Sequence, residues 1–378
     1  GDDLDDLPYK GRILADKGDP EQGYGKNDYE IIRDSGKHRV QEVARAYLAT
    51  INYVDECIGM VLDALENSKF KDNTIVVLWS DHGWHLGEKL HYHKFTLWQE
   101  ASRSPFIIKV PGGKSGDCDR LVNSIDVYPT LVDLCGGEPG SYLDSRFSRQ
   151  GHSLKPLLQQ PEREWNVPTL TTLYKRFPPL LYNPEGTGLY ASERNDKFET
   201  THDRTYDQFM AHGLTTDRWK LIEYDDDPAK PGTDPRTYEL YDLQKDPHEY
   251  NNLAGKPEFA AIQSKLTDLI HKFPGGEDGP RTDNQNPTLI ISAPLENTAV
   301  QTGQSVSIQA DVYDVDAPDA VQDVRFYDAE SGALLHTATA FPYHMQWTPE
   351  QTGSTTIRAV ARDKTGAEDE FTLTLQVS

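Results

Sequence analysis

The chain has little cysteine and little positive charge for its size, and it has no long apolar run. Three cysteines, Cys57, Cys118 and Cys135, in 378 residues exclude a disulfide framework. Cys118 and Cys135 remain as the pair able to close one bridge, and Cys57, in a helical stretch, reads as a small buried apolar residue. No run reaches the roughly eighteen apolar residues that a membrane-spanning helix needs. Lys and Arg number 38 against 61 Asp and Glu, a net charge of −23. Neutralising phosphates takes clustered Lys and Arg, so nucleic acid is excluded as a partner. The acidic excess reads as a well-solvated surface. Neither H-E-x-x-H nor paired C-x-x-C occurs, which removes the familiar zinc spacings.

The most informative stretch present is Thr74 to Lys94, TIVVLWSDHGWHLGEKLHYHK. Its apolar run, Ile75 to Trp79, predicts a strand buried on both faces, as in a parallel sheet. The run stops at Ser80-Asp81-His82-Gly83, which places a carboxylate and an imidazole at the strand's carboxyl end, beside a Gly that permits a sharp turn. Open α/β sheets bind ligands at that end. Four of the twelve histidines fall between His82 and His93, and Lys94 follows at once. The combination predicts a site for a metal and an anion.

Around this stretch the chain is organised as an enzyme domain followed by an all-β module. The opening GDDLDDLPYKGR reads as a solvated acidic loop. From Val40 through Val43, Tyr47, Ile51, Val54, Ile58 and Val61 to Leu65 the apolar steps are three or four, which predicts a long amphipathic helix entered at Ser35 or Gly36. Phe106–Val110 predicts a second strand, Asp126–Leu134 a helix stopped by Gly136-Gly137, and Val167–Leu173 a further strand. Residues 174–210 form an irregular insertion of the kind that often binds ligands. Residues 213–222 are expected to pair with 238–243, and Phe259–Phe273 to close the domain as a helix. After a Gly-, Pro-, Asp- and Asn-rich linker at 274–287 the apolar period becomes two, as in Val306, Ile308, Ala310 and Val312, and this predicts a β-sandwich over 288–378 with Trp347 in its core.

Three ordered markers carry a resemblance. Asp81-His82-Gly83 with Leu86-Gly87-Glu88, Lys94 and Pro111-Gly112 is the first. The second is Ser124-Ile125-Asp126-Val127-Tyr128-Pro129-Thr130-Leu131. The third is Glu239-Leu240-Tyr241-Asp242-Leu243 with Asp246-Pro247-His248-Glu249 and Asn251-Asn252-Leu253. Together they resemble the type I sulfatases of the alkaline phosphatase superfamily, in their iduronate-2-sulfatase-like branch. Residues 288–378 are similar to bacterial Ig-like modules. The implied fold is α/β: the C-terminal portion of an alkaline-phosphatase-like sulfatase fold with a small antiparallel C-terminal sheet over 1–273, then the all-β Ig-like sandwich.

The resemblance implies a sulfuric-ester hydrolase acting on a sulfated carbohydrate. It assigns Asp81 and His82 to a divalent metal, calcium in the family, with the imidazole leaving Mg2+, Mn2+ or Zn2+ open. It assigns Lys94 to the sulfate oxygens as catalytic and substrate-binding residue. Trp84, His85 and Arg103 are candidate substrate contacts, His91 and His93 lesser ones, and Glu88 a turn or supporting residue. The family's C-x-(P/A)-S-R motif, whose Cys becomes the formylglycine nucleophile, is absent, as is its N-terminal aspartate pair. The expectation is therefore a missing N-terminal half that supplies the formylglycine, and a periplasmic or secreted location. Two other readings stay open: a phosphodiester or phosphonate-ester hydrolase of the same superfamily, and a non-catalytic glycan-binding protein.

Overall fold

The computed structural model describes residues 4–15, 28–137, 151–177, 207–225, 236–273 and 284–378. Most of the expected insertion at 174–210 and most of the linker at 274–287 lie outside these residues.

The described elements begin with α1 (Tyr9–Leu14), α2 (Asp28–Asp34) and the long α3 (Lys37–Glu66). Strand β1 (Val76–Trp79) leads to the hairpin of β2 (His85–Leu86) and β3 (Tyr92–His93), and a short α4 (Gln99–Ser102) precedes β4 (Phe106–Lys109). Helices α5 (Val127–Leu134) and α6 (Lys155–Gln159) follow. Four strands come next: β5 (Thr169–Phe177), β6 (Asp207–Thr215), β7 (Trp219–Tyr224) and β8 (Thr237–Asp242). Helix α7 (Ala260–Lys272) closes this part.

The four strands form one antiparallel sheet in the order β5-β6-β7-β8. Both of its faces are covered, which is why β7 is buried at every residue. Leu221 and Leu240 point to the side of Ile262, Leu266 and Leu269 of α7. Their neighbours Ile222 and Tyr241 point the other way, to Leu4, Leu7, Leu97 and Trp98, as the period of two requires. Residues 213–222, expected to pair with 238–243, do so through Trp219–Ile222 of β7, while 213–215 belong to β6 and pair with β7 as a hairpin. It turns at Thr216–Arg218, where the Thr216 hydroxyl accepts the Trp219 amide at 2.8 Å. In the described part of the opening segment Asp5 and Asp6 are exposed, as expected, but the leucines beside them are not. Leu4 and Leu7 are buried, and Asp6 accepts the Asn252 amide at 2.5 Å.

Strand β1 also departs from expectation. Among the described residues it pairs with β4 alone, antiparallel, with Trp79 opposite Phe106. Trp79 is 51% and Ile107 59% exposed. The apolar content of this pair exceeds what one neighbouring strand covers. Helix α3 shows the same excess: it has the predicted period but no buried residue. The cysteines are all free, and Cys118 donates its thiol to the Pro161 carbonyl rather than pairing with Cys135.

Beyond residue 284 the strands are β9 (Thr288–Ala293), β10 (Ala299–Val300), β11 (Val306–Tyr313), β12 (Val321–Asp328), β13 (Leu334–Ala338), β14 (Tyr343–Trp347), β15 (Gly353–Asp363) and β16 (Glu368–Val377). They form a sandwich of a five-stranded sheet, β10-β16-β15-β12-β13, on a three-stranded one, β14-β11-β9. Alternation is clear in β16, where Phe371, Leu373, Leu375 and Val377 are buried between exposed or half-buried neighbours. Phe326, Tyr343 and Met345 fill the core, whereas Trp347, at the end of β14, packs only partly against it. The sandwich core is continuous with the α7 side of the four-stranded sheet.

Candidate functional site

Residues Asp81 to Lys94 leave β1 and return through the β2–β3 hairpin, so both ends of the histidine-rich stretch meet at one place. The Nζ of Lys94 lies 2.6 Å from Nε2 of His82. The other ring nitrogen, Nδ1, is 2.7 Å from the Gly83 carbonyl. An ammonium can only donate and a carbonyl can only accept. The network therefore assigns the proton to Nδ1 and leaves Nε2 as the acceptor for Lys94. Oδ2 of Asp81 is 3.4 Å from the same Nε2, and its side chain is 80% exposed. Ser80 steadies the turn by donating its hydroxyl to the His82 carbonyl at 2.9 Å. Trp84 stacks against His82 at 6.4 Å and against Tyr47 of α3 at 6.2 Å, and meets His93 edge-on at 5.3 Å. The result is a half-open patch with one carboxylate, one imidazole, one ammonium and an indole wall.

Gly83 is essential to this geometry through space rather than through backbone conformation. Its amide donates to the Ala101 carbonyl at 2.8 Å. A Cβ there would stand 1.9 Å from the Glu100 carbonyl oxygen and 2.6 Å from that of Arg103. No side chain fits between the turn and α4.

The structure divides the predicted site residues. Asp81, His82, Trp84 and Lys94 are brought together. His85 is not among them: it is fully buried, with Nε2 2.7 Å from the Thr96 hydroxyl and Nδ1 near the Glu88 carbonyl. Both nitrogens are thus used inside the fold, and burial pulls its pKa down to about 4. This departs from the expectation of a substrate contact: His85, the first residue of β2, is enclosed by the fold, whereas Trp84 just before the strand is half-buried at the patch. His91 is buried beside it, and His93 pairs with Asp28 at 2.8 Å. Arg103 is exposed, and no hydrogen bond or ion pair of its side chain joins it to the patch among the described residues.

Sequence reasoning missed the groups behind the patch. Glu239 is fully buried and accepts from Trp98 Nε1 at 2.8 Å, Tyr224 Oη at 2.6 Å and Tyr241 Oη at 2.7 Å. Burial raises its pKa against the pull of these donors. Glu249, also fully buried, accepts the Gln99 amide at 2.9 Å and lies 3.3 Å from Lys220 Nζ. Lys89 donates to the Glu249 carbonyl between the rings of Trp98 and Tyr241. Burial, together with Glu249 and Glu88, raises the pKa of Glu100. Glu239 and Glu249 stand in the third sequence marker; what gave no signal was their partners, up to 150 residues away.

Among the described residues no group of three or more His, Cys, Asp or Glu side chains is arranged to hold a metal ion. Asp81 and His82 supply two suitable donors on an accessible surface, whereas a calcium ion takes about six to eight oxygens and a zinc ion about four ligands. These residues fit part of a metal site and require further donors to complete it.

Residues 16–137 match the sulfatase family, residues 196–274 the C-terminal region of N-sulphoglucosamine sulphohydrolase, and residues 287–359 a bacterial Ig domain. A sulfatase of Formosa agariphila is 30% identical over 272 residues, which is 72% of this chain and 42% of that protein. An N-acetylglucosamine-6-O-sulfatase of Bacteroides thetaiotaomicron is 32% identical over 62% of this chain and 36% of that protein. A solved structure in complex with its substrate D-glucosamine-2-N,6-O-disulfate is 26% identical, with a TM-score of 0.45, over 71% of this chain and 52% of that one. The chain spans about two fifths of the length of these curated relatives. It belongs to the sulfatase family, through the segments at 16–137 and 196–274, and carries a bacterial Ig domain after them.

Proposed function

We propose that this chain forms the cationic wall of the active site of a sulfuric-ester hydrolase that removes sulfate from a sulfated carbohydrate. The observation that carries the reading is the Lys94–His82–Asp81 cluster at the end of β1, with Nζ and Nε2 2.6 Å apart. Lys94 is a point charge suited to a tetrahedral anion. In the free state it is held by the imidazole; a bound sulfate ester, with its anionic oxygens, competes for the same N–H groups. His82, with Nδ1–H committed to the Gly83 carbonyl, has its one lone pair at Nε2, which accepts from Lys94 here and would serve the metal when that is bound, leaving Lys94 to the sulfate. Trp84, half-buried, lines the patch with an apolar indole against which a sugar would pack.

Asp81 and His82 would contribute to a divalent metal, with calcium the expected ion, and the remaining ligands would come from outside the described residues. When bound, such an ion offsets the charge on the sulfuryl oxygens. The sequence has no C-x-(P/A)-S-R, so this reading places the formylglycine nucleophile on polypeptide other than these 378 residues. The carbohydrate substrate follows from the names of the relatives, and the Ig domain fits a periplasmic or secreted enzyme. Among the described residues no helix is long and apolar enough to cross a membrane.

The test uses the product of the whole reading frame that contains this chain. Sulfate release from sulfated glucosamines should exceed turnover of matched phosphodiesters and phosphonate esters, and Asp81→Asn should reduce it at least a hundredfold. Preference for the phosphorus esters, or glycan binding without turnover of any ester, would replace this reading.

A further inference from the structure

Between the Asp81–His82–Lys94 cluster and the four-stranded sheet lies a buried polar clamp. Glu249 follows β8 in a left-handed backbone conformation, φ 59°. One of its carboxylate oxygens accepts the Gln99 amide at the start of α4, and the other lies 3.3 Å from Lys220 of β7. Lys220 in turn donates to Ser102 at the end of α4, at 3.1 Å. Both charges are at most 1% exposed, so water does not screen them. The four residues of α4 are therefore gripped at both ends by one ion pair from the sheet. Trp98, just before α4, is fixed separately through its Nε1–H to Glu239.

What α4 touches on its far side is the turn of the functional patch. The Gly83 amide donates to Ala101, and the absence of a side chain at Gly83 lets that turn lie directly on the α4 backbone. Asp81 and His82 immediately precede Gly83, and His82 Nδ1 is bonded to its carbonyl. A shift of α4 thus moves the His82 ring against Lys94, which hangs from β3 on the other arm of the hairpin. An electrostatic site loses its effect when its groups move by about an ångström.

We propose that Glu249, through its ion pair with Lys220, is a positioning residue that sets the spacing of Asp81, His82 and Lys94 by locking α4 onto the C-terminal sheet. The inference rests on the functional reading above for its kinetic consequence, but its structural part stands alone. It also gives the acidic residue of the D-P-H-E sequence a task distinct from sheet formation.

The experiment compares wild type, Glu249→Ala and Glu249→Gln, made from the whole reading frame. Hydrogen exchange and steady-state kinetics are measured on the same preparations. Glu249→Ala should raise exchange at least tenfold in peptides spanning 80–103, with peptides in β12, β15 and β16 unchanged. It should lower kcat tenfold or more while KM moves less than threefold. Glu249→Gln keeps an oxygen for the Gln99 amide, so it should fall between wild type and alanine in both readouts. If the alanine variant fails to fold, the glutamine variant alone decides, through raised exchange confined to 80–103. Unchanged exchange at 80–103, or exchange raised equally in the Ig domain, overturns the clamp. Loosened exchange with KM raised and kcat intact overturns the positioning role. If wild type releases no sulfate, the functional reading fails, and exchange alone then decides the clamp.

Discussion

His85 and Trp84 show how one step along the chain separates the core from the surface patch. Trp84 lies in the half-open patch, and its neighbour fills the core behind it. The buried imidazole has a consequence for stability. Burial lowers its pKa from 6.5 to about 4. Between those values the unfolded chain binds a proton that the folded imidazole refuses. His85 therefore makes stability rise with pH across this window, and that contribution is lost as pH falls from about 6.5 toward 4. The full effect is about 3 kcal/mol. Urea unfolding of wild type at pH 7 and pH 4.5 should show a larger loss of stability than His85→Gln shows over the same interval. Equal losses would mean that His85 is not held neutral by the fold.

At the scale of elements, what was legible in the sequence is what is local. The three-and-four spacing from Val40 to Leu65 specifies α3, and the alternation in β11 and β16 specifies the sandwich, because each period belongs to one stretch of chain. The carboxyl end of β1 was legible for the same reason: an apolar run ends at Ser80 and charge begins. The hairpin at Thr216–Arg218 was not, because Leu214 and Leu221 are apolar on both sides of a turn lacking Gly or Pro. Nor was the clamp, since Glu249 and Gln99 are brought together only by the fold. Periodicity also says which face of a helix is apolar, but not what covers it. Helix α3, about 45 Å long at about 1.5 Å per residue, exposes Leu48, Ile51, Val54, Met60 and Val61 by half or more. A surface of that kind drives association. The isolated chain should self-associate in sedimentation velocity as concentration rises, and Ile51→Lys with Val61→Lys should reduce it. A monomer at all concentrations would show that this face is covered within the chain itself.

On the scale of the whole molecule, the Ig domain is a buttress rather than a tethered appendage. Arg218 makes a two-point ion pair with Asp242, with contacts of 3.1 and 2.7 Å, and donates to the Ser292 carbonyl of β9 at 2.5 Å. Lys265 of α7 binds both carboxylate oxygens of Asp369 in β16. Tyr343 donates to Glu164, and the Asn166 amide to the Pro318 carbonyl at 2.9 Å. The apolar core runs from Trp219 and Leu266 to Ile290 and Leu373 without a break. Removing Arg218 leaves the buried Asp242 carboxylate with only Lys245, 3.8 Å away, at a cost of about 3 kcal/mol. Calorimetry should show one transition that includes the four-stranded sheet and the sandwich, lowered as a unit by Arg218→Ala. Two independent transitions, with only one of them moved, would separate the domains.

These scales converge on the patch at the end of β1, which α4 and the C-terminal sheet hold in place. Its most direct test is sulfate release from a sulfated glucosamine by the product of the whole reading frame, wild type against Lys94→Ala. The expected result is a loss of kcat/KM of at least a thousandfold, about 4 kcal/mol of transition-state stabilisation, with unfolding unchanged. A Lys94→Ala variant that releases sulfate within tenfold of wild type would contradict the assignment of this patch as the sulfate site.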